Sequence, residues 1–323
     1  MKAAVIFQRG EMPQYVENFP EPVVNNNNEV LITIKAAAVK HLDKSKASGE
    51  HYSSKADLQQ AQLIGGDGVG LLPDGTRVFA LGDGMIAEKA VIEKDRFIKI
   101  PKDIDDATAA ALPNAIAGSV AALLFRAKMK KGETVLINGA TGFTGKVAVQ
   151  VAKYYGAKNI IATGRNLEAL QSLMGLGVTQ TVSLKQADEN FVAQLKQIHQ
   201  STPIDIVIDY LWGHSAELIL NTFKGQGMFT HRTRFVSIGA VTGDKIELSA
   251  ETLRSADLQL TGSGLGSWTK DEMKELFYNI MPDMLNLAAK GKLKADILTM
   301  PLKDIERLWT MHVPDGKRIV VIP

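Results

Sequence analysis

A glycine-rich turn lies between a strand and a helix near the middle of the chain. Residues 134–155 read TVLINGATGFTGKVAVQVAKYY, where a buried-type strand runs into Gly139, Gly142 and Gly145 and then into an amphipathic helix. Glycine permits a tight turn and close approach of the backbone to a ligand, and the amides at the start of the helix attract phosphate. This order of strand, glycine turn and helix therefore predicts a dinucleotide site in an α/β domain.

Further apolar strands follow the glycine turn, and most are separated by helical segments. Strands that are apolar throughout are buried on both faces, and helices between them indicate a parallel, doubly wound Rossmann sheet. We predict this cofactor domain over 116–266. Its strands are predicted at 134–138, 159–163, 180–183, 204–209, 234–238 and 258–261.

The first part of the chain has a different pattern. Short strand candidates lie among glycine and proline residues, which is typical of a mostly antiparallel β unit. These candidates are 2–7, 30–39, 77–81, 85–93 and 97–100. The alanine-rich stretch 105–125 predicts helices broken near Pro113 and Gly118.

The tail combines a helical stretch with a closing strand. Residues 271–291 are predicted to be helical with an interruption before Pro282, and RIVVIP ends the chain as a strand. We expect that strand to return to the first domain. This domain would then be discontinuous, comprising 1–115 and 267–323.

The end of the second Rossmann strand bears on cofactor choice. The sequence there is ATGRN, with Gly164, Arg165 and Asn166 where an NAD site usually places an acid for the ribose diol. Arginine can pair with a 2'-phosphate instead, and such a charge-assisted bond contributes about 1.5 to 3 kcal/mol. The pattern favours NADPH over NADH. The alternative is a solvated arginine in a loop.

Charge and composition point to a small-molecule partner. The net charge of the 323 residues is +2 with no block of like charges, which argues against nucleic acid or an anionic membrane as the main partner. The amino terminus turns polar too soon for a signal peptide, so we expect a cytoplasmic protein. The absence of cysteine excludes disulfides, thiolate nucleophiles and cysteine-ligated metals.

Several segments occur in an order shared with a known family. They are AAAVKHLDKSKASG (36–49), IGGDGVG (64–70), PDGTRVFALG (73–82), AAALPNAIAGSVAAL (109–123), GATGFTG, VSIGA (236–240) and GKRIVVIP (316–323). Over essentially its whole length the chain resembles the zinc-independent quinone oxidoreductase group of the medium-chain dehydrogenase/reductase superfamily. The resemblance implies a GroES-like, mostly antiparallel β domain beside the Rossmann domain.

The resemblance also implies a set of cofactor contacts, some shared with the residue-based prediction. Relatives often carry a threonine near the nicotinamide where this chain has Ser119. The implied cofactor-binding residues are Ser119, Gly139, Thr141, Gly142, Phe143, Thr144, Gly145, Gly164, Arg165, Asn166, Ile238, Gly239 and Ala240.

Metal chemistry is where the chain departs from the zinc enzymes of that superfamily. In those enzymes a cysteine precedes an aspartate and a Gly-His-Glu turn follows, whereas here Lys40 precedes Asp43 and Gly66 precedes Asp67. The resemblance therefore implies no catalytic metal. An improvised site of His41 with the two aspartates is the alternative, since histidine and carboxylates are metal ligands.

The implied activity is NADPH-dependent hydride transfer to a quinone or an α,β-unsaturated carbonyl. One hydrogen-bond donor would suffice for the developing oxyanion. Tyr52 is the first candidate and Lys40 the second. The alternatives are an NADPH-binding sensor or scaffold with little turnover and an enoyl thioester reductase. Relatives commonly dimerise through the cofactor domain, so a homodimer is also expected.

Overall fold

The computed structural model describes residues 1–51, 60–225, 227–313 and 316–323. These residues form two compact units, one of Met1–Pro113 with Phe277–Pro323 and one of Asn114–Leu276. The strands are β1 Ala3–Ile6, β2 Gln14–Val16, β3 Glu29–Ala38, β4 Gln62–Leu63, β5 Asp67–Leu71, β6 Arg77–Leu81, β7 Lys89–Glu93, β8 Phe97–Lys99, β9 Thr134–Asn138, β10 Asn159–Gly164, β11 Gln180–Ser183, β12 Ile206–Asp209, β13 Thr233–Ser237, β14 Leu258–Gly262, β15 Asp296–Pro301 and β16 Lys317–Ile322.

The helices are numbered in the same way. They are α1 His41–Ser48, α2 Asp106–Val120, α3 Phe143–Tyr154, α4 Leu167–Ser172, α5 Asp188–Ser201, α6 Gly213–Thr222, α7 Ala250–Ser255, α8 Lys270–Lys274, α9 Met281–Ala289 and α10 Ile305–Thr310. Ala121–Arg126 and Glu275–Ile280 are π-helical, and short 3-10 turns span Leu173–Leu176, Leu265–Ser267 and Leu302–Asp304.

The second unit contains a six-stranded sheet of order β11-β10-β9-β12-β13-β14, in which every neighbouring pair is parallel. This is the strand order of a dinucleotide-binding Rossmann sheet. Its central strands are buried throughout, since Thr134–Asn138 and Ile206–Asp209 have no exposed position. The parallel, doubly wound prediction is confirmed.

The first unit contains two sheets. A seven-stranded sheet follows the order β15-β16-β3-β5-β6-β8, with β7 also paired to β3, and a small sheet has the order β2-β1-β4. All pairs are antiparallel except β15 with β16. The closing strand β16 pairs with β3 through Val320 opposite Ala38. The mostly antiparallel β class is thus confirmed.

Helix α2 differs from the prediction. It runs through Pro113 and Gly118 without a break and continues into the π-helical Ala121–Arg126. Proline removes one helical hydrogen bond and costs about 3 kcal/mol or more in a helix interior. Burial compensates for that cost, since Leu112 and Ile116 are fully buried and each buried large side chain contributes about 1.5–3 kcal/mol.

The combined helix Asp106–Arg126 is also long and apolar enough to cross a membrane by length and composition. Buried core helices of soluble proteins pass the same test, and 67% of its most apolar window is buried inside the protein. The feature is therefore weak evidence for a membrane span.

Two other segments differ from the prediction, the strand predicted at 85–93 and the interruption predicted before Pro282. Within 85–93 only Lys89–Glu93 is a strand. The chain before it turns at Gly84, which has φ +74°. Ile86 then accepts one backbone hydrogen bond from Ala4 and donates one to Ile64 in place of a continuous ladder. The interruption expected before Pro282 is a π-helical segment rather than a gap in the helix. Helical structure therefore continues from α8 into α9.

Candidate functional site

The glycine turn between β9 and α3 is shaped by close backbone contacts. Gly139 has φ +83°, a left-handed conformation that favours glycine. A Cβ on Gly145 would lie 2.5 Å from the Gly139 carbonyl oxygen and 2.6 Å from Ala140 Cα. Only glycine lets the first turn of α3 pack this closely on the loop. Gly142 is the N-cap of α3 and has no side chain with which to cap that helix.

The neighbouring strand β10 supports this loop. Ala140 donates its N–H to the Thr163 carbonyl oxygen at 2.9 Å, and Gly139 donates to Thr163 Oγ1 at 3.2 Å. A Cβ on Gly164 would lie 2.5 Å from Thr141 Cγ2. The predicted residues at the ends of β9 and β10 therefore touch each other. The absence of side chains on the glycines keeps the backbone accessible to a pyrophosphate.

A buried polar network joins β9, β10 and β12 beneath the loop. Asn138 donates to Asp209 Oδ1 at 2.7 Å and accepts from Thr163 Oγ1 at 2.6 Å. Asp209 also accepts from the backbone N–H groups of Leu211 and Trp212. Burial raises the pKa of Asp209, while these donors oppose the shift. The network fixes the turn after β12, where Trp212 has φ +60°.

The residues after β10 have separate tasks. Asn166 is the N-cap of α4, and its Oδ1 accepts from Ala169 N at 3.1 Å. Arg165 is exposed and has no ion pair or side-chain hydrogen bond within the part of the chain that the structure describes. A guanidinium in this state can pair with a ligand phosphate without first breaking an internal bond.

The segment after β13 lies against the end of β12. Ile238 donates its N–H to the Asp209 carbonyl oxygen at 2.8 Å, and a Cβ on Gly239 would lie 2.8 Å from the Tyr210 carbonyl oxygen. Ala240 is exposed. The carboxyl ends of parallel strands meet at one edge of a sheet. We call this edge, from Gly139 through Gly164 to Ala240, the carboxyl edge.

Ser119 belongs to the same unit but is fully buried in α2. Its Oγ donates to the Ala115 carbonyl oxygen at 2.7 Å and lies 3.1 Å from the Tyr210 hydroxyl. Sequence reasoning missed Tyr210, although its position directly after a buried strand was a usable signal. It also missed Asn138, Thr163 and Asp209, because a polar network inside a strand region has no short sequence signature.

In the first unit, Lys40 is held inside a group of charges. Its Nζ lies 2.7 Å from Asp67 Oδ1, 3.1 Å from Asp43 Oδ2 and 3.1 Å from the Ala38 carbonyl oxygen, to which it donates. The buried Arg318 lies nearby and donates to the Val39 carbonyl oxygen at 3.3 Å. We call Lys40, Asp43, Asp67 and Arg318 the Lys40 cluster.

The electrostatics of the Lys40 cluster favour a charged lysine. Burial lowers the pKa of Lys40, but the carboxylates of Asp43 and Asp67 outweigh burial and raise it overall. An ammonium group has three protons, and three acceptors surround this one. The geometry therefore favours a positioning role that ties α1 to β5 over donation to a substrate. Tyr52, the first candidate donor, lies outside the described residues.

A zinc ion does not fit the Lys40 cluster. The ammonium occupies the position between the two carboxylates, and the sequence has no cysteine. His41 is exposed at the start of α1. Among the described residues there is no group of three or more potential ligands that could hold a metal. The donor set here is a charge-balanced ion-pair cluster rather than a metal centre.

Residues 144–281 match the family model described as zinc-binding dehydrogenase. A quinone oxidoreductase of Sus scrofa is 27% identical over 262 residues, covering 78% of this chain and 76% of that protein. A probable NADPH-dependent quinone reductase of Emericella nidulans is 25% identical, with 96% of each chain covered.

Solved structures share the fold over the full length. The quinone oxidoreductase of Thermus thermophilus, whose structure was also determined in complex with NADPH, superposes with a TM-score of 0.79. It is 22% identical, and all of both chains is covered. At this identity the likeness establishes the fold.

Proposed function

We propose that this chain is an NADPH-dependent oxidoreductase that acts without zinc. It belongs to the medium-chain dehydrogenase/reductase superfamily, in its quinone oxidoreductase group. Its proposed substrates are quinones and α,β-unsaturated carbonyl compounds. The observation that carries the proposal is the carboxyl edge, where a glycine loop for a pyrophosphate and an exposed arginine for a 2'-phosphate follow adjacent strands.

The carboxyl edge fits a dinucleotide. Gly139, Gly142 and Gly145 would admit the pyrophosphate to the start of α3, where backbone N–H groups and the helix dipole favour an anion. NADPH, when bound, supplies the hydride. The chain's own residues bind and orient the cofactor, which is the protein's usual share of such chemistry.

Arg165 supports NADPH over NADH. No carboxylate stands at 164–166, and Asn166 is committed to capping α4. A bond between arginine and the 2'-phosphate would contribute about 1.5 to 3 kcal/mol, which corresponds to roughly a ten- to hundredfold preference.

Independence from zinc is supported by the Lys40 cluster. The ammonium of Lys40 already pairs with the carboxylates of Asp43 and Asp67, and the nearby Arg318 balances the second negative charge. A quinone or enone does not need a metal to polarise it, because conjugation spreads the developing negative charge. Solvent or Tyr52 would supply the final proton, and the role of Tyr52 stays a prediction.

A sensor or scaffold with little turnover is the second candidate. It is favoured by the commitment of the Lys40 protons to internal acceptors, which leaves no second donor from that residue. Such a protein would keep the carboxyl edge and its cofactor affinity. We also propose a cytoplasmic location and a homodimer, for which the exposed edge strand β14 is a candidate contact.

Oxidation of NADPH by 1,4-benzoquinone and by a simple enone tests the activity. Turnover with either substrate supports a reductase, while tight NADPH binding without turnover would support the sensor. Crotonyl and longer enoyl thioesters form a third arm, since a strong preference for them would make the chain an enoyl thioester reductase.

Charge reversal at Arg165 tests the cofactor. Arg165→Asp is expected to weaken NADPH binding by roughly ten- to hundredfold and NADH binding by less than about threefold. Arg254→Asp is the matched control, because Arg254 is exposed on α7 of the same unit. Equal losses for both cofactors in binding titrations would refute the role of Arg165.

A further inference from the structure

Tyr210 is a buried phenol that the proposed function leaves without a task. It follows β12 directly, and β12 pairs with β9 in the middle of the parallel sheet. From β9 the chain continues to β10 on one side, and from β12 it continues to β13 on the other. Ligands of open α/β sheets bind at the carboxyl ends of strands where the order reverses in this way.

Tyr210 also contacts the segment that was predicted to flank the nicotinamide. Val241 donates its N–H to the Tyr210 carbonyl oxygen at 3.5 Å, and Gly239 packs against the same carbonyl. Gly118, on α2 beside Ser119, faces the Ile238 side chain. Ser119 on α2 therefore contacts the Tyr210 hydroxyl, while the segment after β13 contacts the Tyr210 backbone. Tyr210 keeps 9% of its surface exposed.

The hydrogen bonds fix the direction of the Tyr210 hydroxyl. Ser119 Oγ donates its single proton to the Ala115 carbonyl oxygen at 2.7 Å. In the 3.1 Å contact between the two hydroxyls, Ser119 Oγ must then be the acceptor and Tyr210 the donor. The remaining capacity of Tyr210 Oη is a lone pair. A ligand at this atom must therefore supply an N–H or O–H.

Burial keeps Tyr210 in this state. It raises the pKa of the phenol far above its usual value, while the bond to Ser119 opposes the shift. Tyr210 is therefore neutral throughout the physiological range and is neither an anion nor a source of protons. It acts as an acceptor of fixed direction.

We propose that Tyr210 Oη accepts a hydrogen bond from the carboxamide nitrogen of the nicotinamide, and that Ser119 is the positioning residue that sets this polarity. The inference rests on the proposed function. A carboxamide has one end that accepts and one that donates. A site that offers only a lone pair selects the NH₂ end and so fixes how the amide is turned.

An analogue that lacks the amide provides the test. In the acetylpyridine analogue of NADPH a methyl ketone replaces the carboxamide, so no N–H remains. Wild type is expected to bind NADPH about three- to tenfold more tightly than the analogue, the range of one neutral hydrogen bond. Tyr210→Phe should lose about that factor for NADPH and bind the analogue within about twofold of wild type. Tyr154→Phe, on the exposed face of α3, is the matched control.

Variants of Ser119 separate positioning from folding. Ser119→Ala releases the Tyr210 proton, so the phenol can also donate to the ketone of the analogue, and the preference for NADPH should shrink. Ser119→Thr keeps the hydroxyl and should therefore keep the wild-type preference for NADPH over the analogue. These two variants also carry the test if Tyr210→Phe folds poorly.

Equal losses for NADPH and the analogue in Tyr210→Phe, or an unchanged preference in Ser119→Ala, would overturn the inference. A wild-type protein that binds no NADPH would overturn the proposed function and this inference together. A wild-type protein that binds both ligands equally would overturn the inference alone.

Discussion

Removing the ammonium from the Lys40 cluster should strongly destabilise the first unit. Lys40→Met keeps most of the side-chain volume but leaves Asp43 and Asp67 without their nearest cation. Both carboxylates are buried, with side chains 3% and 11% exposed. Breaking a buried ion pair by removing one partner costs about 3–5 kcal/mol, because a charge stays behind without compensation.

A surface pair in the same unit provides the control. Lys89 lies 2.7 Å from Glu21, the same separation as Lys40 from Asp67, but those side chains are 34% and 52% exposed. Solvent screens such a pair, so Lys89→Met should change stability by only about 0–1 kcal/mol. The free energies of unfolding of both variants and wild type can be measured by denaturant titration at neutral pH.

The pH dependence has a defined sign. Because the folded-state pKa of Lys40 is raised, its stabilisation is complete below the ordinary lysine pKa of 10.5 and is lost as pH rises through the higher folded value. Burial raises the pKa of Asp67, and the Lys40 ammonium opposes that shift. In Lys40→Met this opposition is lost, so the deficit should shrink as pH falls below neutral. Equal costs for the two lysine variants, or a deficit that grows in acid, would refute this reasoning.

Two further substitutions test local backbone geometry. Gly145→Ala places a Cβ 2.5 Å from a carbonyl oxygen, so we expect a loss of about 1–3 kcal/mol in stability and at least about tenfold weaker NADPH binding. The control is Gly175→Ala, which should be neutral because nothing lies within 4 Å of its added Cβ. Similar results for the two variants would contradict the packing argument. Phe229 has φ +64° and is 96% exposed. Phe229→Asn should raise the free energy of unfolding by about 1 kcal/mol, because asparagine tolerates the left-handed region better. A lower stability of the variant in thermal or denaturant unfolding would show instead that the phenylalanine ring contributes stabilising contacts.

Strand patterns predicted the Rossmann sheet closely because buried parallel strands are short apolar runs between glycine turns. Thr134–Asn138 and Gln180–Ser183 have the bounds expected from sequence. The path of α2 was not predictable in the same way. Pro113 is a local signal for a break, whereas the burial that overrides it depends on side chains distant in sequence.

In the candidate site, too, sequence predicted the local features and did not predict the pairings between residues distant in the chain. The glycine loop and Arg165 are local features, so their place at the carboxyl edge followed from the strand order. The partnership of Ser119 with Tyr210 joins residues 91 positions apart, and that of Lys40 with Asp67 joins residues 27 apart. Sequence alone marked Lys40 as a departure from the zinc enzymes and as the second candidate donor, but only the structure shows which acceptors surround it.

The central claim is hydride transfer from NADPH without a metal. The most direct measurement is the rate of NADPH oxidation by 1,4-benzoquinone with protein freed of metal by a chelator, beside NADP⁺ reduction by a primary alcohol. We predict that quinone turnover is unchanged by the chelator and restored zinc, and that the alcohol gives none. Loss of quinone turnover on chelation with recovery on adding zinc, or alcohol oxidation, would contradict the account.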